Sequence, residues 1–259
     1  MAFIRVLGAY GAREKSKGTT ALQLSDRVVI DAGNLLHPLG SAAAKIDHIF
    51  LTHCHMEHLA DIPFLIDAFF AQRTTPLNIY GLAHTIDQLQ KHLFNWAIWP
   101  DFTQINLLGT EQPSVVFHVI EPEKQYEIED MVLKTVPVNH QVPTIGYVIE
   151  KRGEDRAIYF SADTYRCERI WQEVNHNPKI GALIIECSFP SSMEQLAKNS
   201  LHMTPAILAD ELTNLTRDDL RIYVNHLKPE LAPSIIYELS DREITSSLFV
   251  LDDGDEITY

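Results

Sequence analysis

Short apolar runs rich in β-branched residues recur along the chain, and most of them end at a polar or turn-forming residue. Runs of this length and composition are typical of buried strands. They follow one another closely in the first two thirds, as in FIRVLG (3–8), KIDHIFLTH (45–53) and MVLKTVPVNH (131–140). Towards the end they alternate with stretches of helical spacing, such as LAPSIIYELS (231–240). A strand-rich block followed by strand–helix alternation predicts two sheets with helices packed outside them.

Two amphipathic helices interrupt the strand-rich block. Apolar residues recur with helical spacing over 59–73 and over 83–99, and the segment LNIYG between them predicts a strand. The stretch TTALQLSDRVVIDAG (19–33) predicts a hairpin that turns at Ser25 and Asp26. No linker, low-complexity segment or internal repeat interrupts the pattern, so we expect one domain over residues 1–259.

The charge and the cysteines restrict the partners and the compartment. The net charge of −14 disfavours extended nucleic acid and anionic membranes, although a bound cation would still allow a small anionic substrate. No apolar run is long enough to span a membrane. Cys54, Cys167 and Cys187 are scattered and form no CxxC pair, which favours reduced thiols. We therefore expect a soluble, cytoplasmic protein that does not bind membranes.

The segment THCHMEH places three histidines and a glutamate directly after an apolar run. Side chains alternate along an extended turn, so His53 and His55 are expected on one side of it. As the chain then enters a helix, Glu57 and His58 can be directed towards a second ion. Imidazole nitrogens and carboxylate oxygens suit zinc, manganese or iron. The segment therefore predicts the floor of a two-metal site.

Further ligands are available at other strand ends. VPVNHQ ends a strand with His140, YFSADT ends one with Asp163, and IYVNHLKP ends one with His226. Because each follows an apolar run, all three could lie at one edge of the sheets. A lone histidine at a strand end is usually structural, but three such ends together with the histidine-rich turn favour a shared site.

The pattern HxHxEH, followed by a distant His, Asp and His at strand ends, resembles the metallo-β-lactamase superfamily. The resemblance covers essentially the whole chain and includes VIDAG (29–33), which is similar to the superfamily's early Asp-Ala-Gly turn. It implies an α+β fold, a four-layer αβ/βα sandwich, with a dinuclear metal site. The implied ligands are His53, His55 and His140 for one ion, Glu57, His58 and His226 for the other, and Asp163 as the bridge.

Position 57 departs from the family pattern, which usually has aspartate there. The extra methylene of Glu57 moves the carboxylate by roughly one C–C bond. We therefore expect the second site to be the weaker or more selective one. The expected cofactor is a pair of divalent ions, with zinc the first choice and manganese or iron the alternatives.

The stretch HLFNWAIWPDF (92–102) indicates a subgroup of the superfamily. Together with IYGL and THCHMEH it resembles the class II cyclic-nucleotide phosphodiesterases, which carry a similar His-Φ-Phe-Asn…Ile-Trp-Pro stretch after a helix. The resemblance makes Asn95 and Trp99 the candidate substrate-binding residues. The alternative is an aromatic helix end that packs into the core.

The stretch LIIECSFPSSMEQLAKNSLHMTPAILADEL (183–212) also resembles these enzymes. It is similar to the Glu-containing loop and Gly-His-[Leu/Ser]-Thr turn shared by phosphodiesterases and tRNA 3′-processing enzymes of the superfamily. The resemblance implies that His202 donates a proton to the leaving oxygen, that Glu186 orients it, and that Asp163 completes the catalytic group. Leu201 stands where relatives usually have glycine. Alternatively, Glu186 caps a turn and His202 caps the following helix.

The implied activity is hydrolysis of 3′,5′-cyclic nucleotides, cyclic AMP first, to nucleoside 5′-monophosphates by a metal-bridging hydroxide. The partner would be a small cyclic nucleotide, and a homodimer is common among such relatives. A tRNA 3′-endonuclease is the nearest rival, but segment 141–162 between His140 and Asp163 is too short for the basic arm those enzymes use. A thiolesterase or lactonase of the same fold is a further hypothesis, and so is a scaffold that binds no metal.

Overall fold

The computed structural model describes residues 3–241 and 248–258. Over these residues, the strands form two mixed seven-stranded sheets. In spatial order, the first sheet contains β14 (Glu256–Thr258), β1 (Phe3–Gly8), β2 (Ala21–Gln23), β3 (Val28–Ile30), β4 (His48–Phe50), β5 (Leu77–Leu82) and β6 (Val115–Ile120). The second contains β13 (Leu248–Val250), β12 (Arg221–Asn225), β11 (Ile180–Glu186), β10 (Ala157–Phe160), β9 (Thr144–Lys151), β8 (Met131–Val138) and β7 (Gln125–Ile128).

The two sheets share one pattern of strand directions. In the first sheet, the pairs from β14 to β3 are antiparallel and those from β3 to β6 are parallel. In the second sheet, the pairs from β7 to β10 are antiparallel and those from β10 to β13 are parallel. Parallel strands present their carboxyl ends at one edge, where ligands usually bind in open α/β sheets. Each sheet therefore has one edge, at the carboxyl ends of its parallel strands, where a ligand-binding site is expected.

Helices cover the outer face of each sheet. Three pack on the first sheet, namely α1 (Leu36–Leu39), α2 (Ile62–Phe69) and α3 (Ala83–His92). On the second sheet lie α4 (Glu168–His176), α6 (Pro205–Leu212) and α7 (Ala232–Asp241), while α5 (Glu194–Ser200) precedes α6. Buried apolar side chains of both sheets, such as Val6 and Tyr147, belong to one core. The expected four-layer αβ/βα sandwich is confirmed.

Most predicted elements are present, but one helix is shorter than expected and several short elements were not predicted. The helix predicted over 83–99 ends at His92, and the residues after it form an irregular turn. The short polar strands β7 and β14 were not predicted, because neither has enough apolar residues to show a pattern. Helices α1 and α5 were also not predicted. None of the described helices has the length and apolar character needed to cross a bilayer. One domain over residues 1–259 stays a prediction, which the shared core supports.

Candidate metal centre

The candidate site lies where strands of both sheets end. The histidine-rich segment follows β4, and Asp163 and His226 follow the parallel strands β10 and β12. His140 follows β8, whose neighbour β9 runs antiparallel to it. These strands are apolar and mostly buried, so their positions are fixed by the core and the first polar residues after them stand at its edge.

Left-handed backbone conformations direct the chain at three of these strand ends. Asp31 has φ of 58°, Ala162 has φ of 59° and His226 has φ of 63°. Each such residue other than glycine costs about 1–2 kcal/mol, and such strain concentrates at functional sites. All three are at most 1% exposed, so the surrounding packing maintains the strained turns.

The structure brings the predicted ligands together in two groups that share Asp163. Within each group, one donor atom per residue lies within 4.8 Å of every other. The groups are His53, His55, His140 and Asp163, and Glu57, His58, Asp163 and His226. They match the two ligand sets that the resemblance implies, and their roles as ligands are proposals taken up below.

Around Asp163, the imidazole nitrogens converge on a single oxygen. The Oδ2 atom lies 3.3 Å from His58 Nε2, 3.2 Å from His226 Nε2 and 3.8 Å from His53 Nε2. All four atoms are buried and none makes a hydrogen bond to the described residues. Buried polar atoms without partners are rare, so their convergence fits a site for divalent cations.

The charge states of these groups also fit a cation site. Burial and the neighbouring His58 lower the pKa of His53 well below its usual value, and burial does the same for the pKa of His226. Burial alone would raise the pKa of Asp163, but His226 and His58 hold it well below the ordinary range. Burial alone would lower the pKa of His58, but the charges of Asp163 and Asp31 raise it well above its usual value. The two carboxylates beside His58 therefore favour positive charge at this position.

Two candidate ligand histidines of the first sheet are oriented by Asp31, His58 directly and His53 through Thr52. Its Oδ2 accepts a hydrogen bond from His58 Nδ1 at 2.7 Å, and its Oδ1 accepts one from the Thr52 backbone N–H at 2.9 Å. The Thr52 hydroxyl donates to Asp31 Oδ2 at 2.9 Å and lies 3.0 Å from His53 Nδ1. Both imidazoles therefore present Nε2 to the site. Partners of this kind fix the tautomer and ring orientation of metal ligands.

His140 is oriented by a backbone carbonyl. Its Nδ1 lies 3.1 Å from the carbonyl oxygen of Leu201. Leu201 has φ of 53° and ψ of 51° at the end of α5, a left-handed conformation that favours glycine. Glycine, which the resemblance implies at this position, would adopt this conformation without strain.

The candidate ligand Glu57 is only loosely held by its surroundings. Its side chain is about one quarter exposed, and its Oε1 lies 3.9 Å from Lys228 Nζ.

Lys228 also donates to the Gly11 carbonyl at 2.6 Å, which holds the N-terminal loop against the site. A Cβ atom on Gly11 would lie 2.6 Å from the ring of His226, so only glycine allows this close approach.

The structure brings Glu186 and His202 into direct contact. Glu186 Oε1 accepts from His202 Nδ1 at 2.7 Å, and the His202 ring stacks on that of His226 with centroids 5.4 Å apart. Burial alone would lower the pKa of His202, but the charge and hydrogen bond of Glu186 raise it. The alternative role of His202 as a helix cap is wrong, since Thr204 caps α6. Glu186 does accept from the backbone N–H of Thr164 at 3.1 Å, so it also holds the neighbouring loop.

Asn95 and Trp99 lie in the turn after α3 and stabilise its structure. Asn95 accepts from the backbone N–H groups of Ala97 and Ile98 and donates to the Lys91 carbonyl. Trp99 is partly buried, and its ring lies against that of Phe64 with centroids 5.3 Å apart. These contacts fit the alternative of a packed aromatic helix end, and a substrate-binding role for the two residues stays a prediction.

Three residues that position the site were not identified as such from the sequence. Asp31 is recognisable there only as part of a turn, although it ends a buried strand as Asp163 does. Thr52 directly precedes the first histidine of the cluster. Ser188 lies two residues after Glu186, and the period-two alternation of an extended chain would have placed both on one side.

Comparison with known proteins assigns the family. A model described as the beta-lactamase superfamily domain matches residues 26–224. A 3′,5′-cyclic-nucleotide phosphodiesterase 1 of Saccharomyces cerevisiae is 26% identical over 216 residues, which cover 71% of this chain and 56% of the yeast protein. A ribonuclease Z of Thermococcus kodakarensis is 28% identical over 157 residues, which cover 58% of this chain and 46% of that protein.

Solved structures agree on the fold. The crystal structure of unliganded yeast PDE1 superposes with a TM-score of 0.81 at 20% identity and covers 100% of both chains. Among curated relatives, the chain spans about half the length of the cyclic-nucleotide phosphodiesterases that it matches.

Proposed function

The chain belongs to the β-lactamase superfamily, and we propose that it is a phosphodiesterase that uses two divalent metal ions to hydrolyse 3′,5′-cyclic nucleotides. The observation that carries the proposal is the pair of donor groups that share Asp163. The names of the matched yeast relative and of a probable phosphodiesterase from Yersinia pestis support the substrate class. Cyclic AMP is the first substrate to test, and zinc is the first metal, with manganese and iron as alternatives.

In this proposal the seven residues predicted from the sequence hold the ions. His53, His55 and His140 would hold one ion and Glu57, His58 and His226 the other, with Asp163 available to both. Ions bound there would supply Lewis-acid polarisation of a phosphate and a lowered pKa for a bound water. Ligand geometry is maintained by Asp31, Thr52 and the Leu201 carbonyl, each bonded to the outer nitrogen of one histidine.

His202 is the candidate proton donor. Its Nδ1 is bonded to Glu186, so Nε2 is the atom left to carry the proton that passes to the departing 3′ oxygen. The raised pKa of His202 favours the protonated imidazole that this role needs. General acid help of this kind typically contributes about 10²–10⁴-fold to the rate.

A tRNA 3′-endonuclease is the second candidate, because a ribonuclease Z is among the matched relatives. Two observations favour the cyclic nucleotide. The strands β9 and β10 are joined by a short turn over 152–156, which leaves no room for a protruding arm between His140 and Asp163. The net charge of −14 also opposes binding of a polyanion.

We also propose a cytoplasmic location and a homodimeric assembly. The three cysteines are free in the structure, which supports a reducing, cytoplasmic compartment. A homodimer is proposed from the resemblance alone.

Parallel assays of cyclic AMP, cyclic GMP, precursor tRNA and a thiolester test the proposal. We expect turnover of a cyclic nucleotide by protein loaded with zinc or manganese. His202→Ala should lower kcat about 10²–10⁴-fold while metal content stays unchanged. His176→Ala removes an exposed histidine of α4 and should leave both unchanged. Cleavage of precursor tRNA or thiolester without cyclic-nucleotide turnover would contradict the proposal, and loss of metal from His202→Ala would contradict the role of His202.

A further inference from the structure

The hydroxyl of Ser188 joins the metal centre to the candidate proton donor. Ser188 is fully buried in the loop after β11. Its Oγ lies 3.0 Å from His226 Nδ1 and 2.8 Å from Glu186 Oε2. It is also 3.3 Å from His202 Nδ1 and 3.2 Å from the His226 carbonyl. A single hydroxyl therefore contacts a ligand histidine and both members of the Glu186–His202 pair.

The direction of these hydrogen bonds follows from the donors available. A hydroxyl has one proton to donate, and the carboxylate of Glu186 is a closer and stronger acceptor than the His226 carbonyl. With its proton directed to Glu186, Ser188 Oγ can accept from His226 Nδ1–H. His226 is then left with an unprotonated Nε2, the atom that lies 3.2 Å from Asp163 Oδ2. Glu186 uses its other oxygen to accept from His202 Nδ1.

The first sheet contains the same arrangement around another ligand. The Thr52 hydroxyl lies 3.0 Å from His53 Nδ1 and donates to the buried carboxylate of Asp31. In both places a hydroxyl stands between the outer nitrogen of a histidine and a buried carboxylate. The difference is that Glu186 is bonded to His202, whereas Asp31 is bonded to a second ligand, His58.

The backbone keeps Ser188 in this position. Its N–H donates to the Met203 carbonyl at 3.1 Å, and its carbonyl accepts from the Lys228 N–H at 3.4 Å. These bonds tie the loop after β11 to the loop before α6, which carries His202, and to the loop after β12, which carries His226. The neighbouring Cys187 belongs to the apolar core, which sets the side on which Ser188 emerges.

We propose that Ser188 is a positioning residue that fixes the tautomer of His226 and the orientation of the Glu186–His202 pair through one hydroxyl. The inference concerns the same site and rests on the proposed function for its catalytic part. Its metal-binding part is independent of the substrate.

Zinc titration tests the metal-binding part. Mutation of a residue that is hydrogen-bonded to a ligand histidine typically lowers metal affinity about 10–100-fold. Ser188→Ala should therefore lower the affinity of one of the two zinc sites by that factor and leave the other unchanged. Ser188→Thr keeps the hydroxyl and should retain affinity, whereas Ser188→Val, which matches threonine in shape but lacks the hydroxyl, should not. Ser114→Ala, which removes a buried hydroxyl that donates to the Ile105 carbonyl and has no other hydrogen bond to the described residues, should bind zinc normally.

Leaving-group dependence tests the catalytic part. At saturating zinc, Ser188→Ala should lower kcat on cyclic AMP by about tenfold or more, because departure of the 3′ oxygen needs a proton. The same variant should hydrolyse bis(4-nitrophenyl) phosphate at nearly the wild-type rate, since nitrophenolate leaves without one. The Thr and Val variants provide the same comparison if Ser188→Ala does not fold.

Two results would overturn the inference. One is wild-type zinc affinity at both sites in Ser188→Ala and Ser188→Val. The other is an equal loss of kcat on the two phosphodiesters. If the wild-type protein hydrolyses bis(4-nitrophenyl) phosphate but no cyclic nucleotide, the proposed function fails, while the zinc titration still decides the role of Ser188.

Discussion

Replacing Asp31 with asparagine should weaken the second metal site without unfolding the protein. Asp31 is fully buried, and its Oδ2 accepts from His58 Nδ1 at 2.7 Å. In Asp31→Asn the amide oxygen can still accept from the Thr52 N–H, but the NH₂ group then faces His58 Nδ1. Two donors cannot share a hydrogen bond, so His58 is driven to the tautomer whose Nε2 carries the proton. That nitrogen cannot then bind a metal ion.

The size of the effect follows from the bond that is lost. A hydrogen bond to a charged group contributes about 1.5–3 kcal/mol, which corresponds to about 10- to 160-fold in affinity. This range agrees with the roughly 10–100-fold effects typical of residues that support metal ligands. The loss of metal affinity should be largest at the site that contains His58. The affinity of the site that contains His53 should change less, because Thr52 still contacts His53 Nδ1.

The assay is zinc titration against a chromophoric competitor, with thermal unfolding of the metal-free protein in parallel. Asp47→Asn is the matched control. Asp47 is also largely buried and accepts from Arg73 at 2.7 Å, but it directly precedes β4, at the opposite end from the metal centre. It should lose stability and keep zinc affinity. Two zinc sites of wild-type affinity in a folded Asp31→Asn protein would refute the reasoning.

Three further predictions concern single positions. Leu201→Gly should be more stable than Leu201→Ala by about 1 kcal/mol in denaturant unfolding, because the left-handed backbone penalises alanine; equal stability would contradict this. Burial alone would raise the pKa of Glu173, but hydrogen bonds from Lys134 and Arg169 hold it below the ordinary range. A carboxylate with a lower pKa in the folded than in the unfolded protein stabilises the fold above its unfolded-state pKa, and this stabilisation is lost as the pH falls through its folded-state pKa. Glu173→Gln should therefore flatten the loss of stability in acid. An unchanged dependence of the free energy of unfolding on pH would disprove this. Glu57→Asp should bind zinc at the second site with higher affinity than the wild type does. Unchanged affinity would show that the longer side chain of Glu57 does not weaken this site.

The sequence predicted the fold, and the polar residues that the structure brings together, for a physical reason. Buried strands leave long apolar runs, and the first polar residue after each run lies at the sheet edge, as His140, Asp163 and His226 do. The spacing of the histidine segment could be converted into two groups of ligands because side-chain direction alternates in a fixed way.

The residues that position the ligands were harder to predict. The roles of Thr52 and Ser188 depend on a single hydroxyl that lies about 3 Å from a histidine nitrogen, and such distances leave no periodic trace in a sequence. The end of α3 at His92 was missed because Asn95 satisfies the backbone of the following turn with its side chain, although the apolar spacing continues. The left-handed backbone of Leu201 could not be predicted from leucine itself, because leucine favours right-handed conformations.

The most direct test of the central claim is identification of the product formed from 3′,5′-cyclic AMP by the protein with two equivalents of bound zinc. Chromatography of the reaction should show adenosine 5′-monophosphate, because the 3′ oxygen is the leaving group that His202 would protonate. Formation of the 3′-monophosphate, or no turnover by protein that retains both ions, would contradict the account.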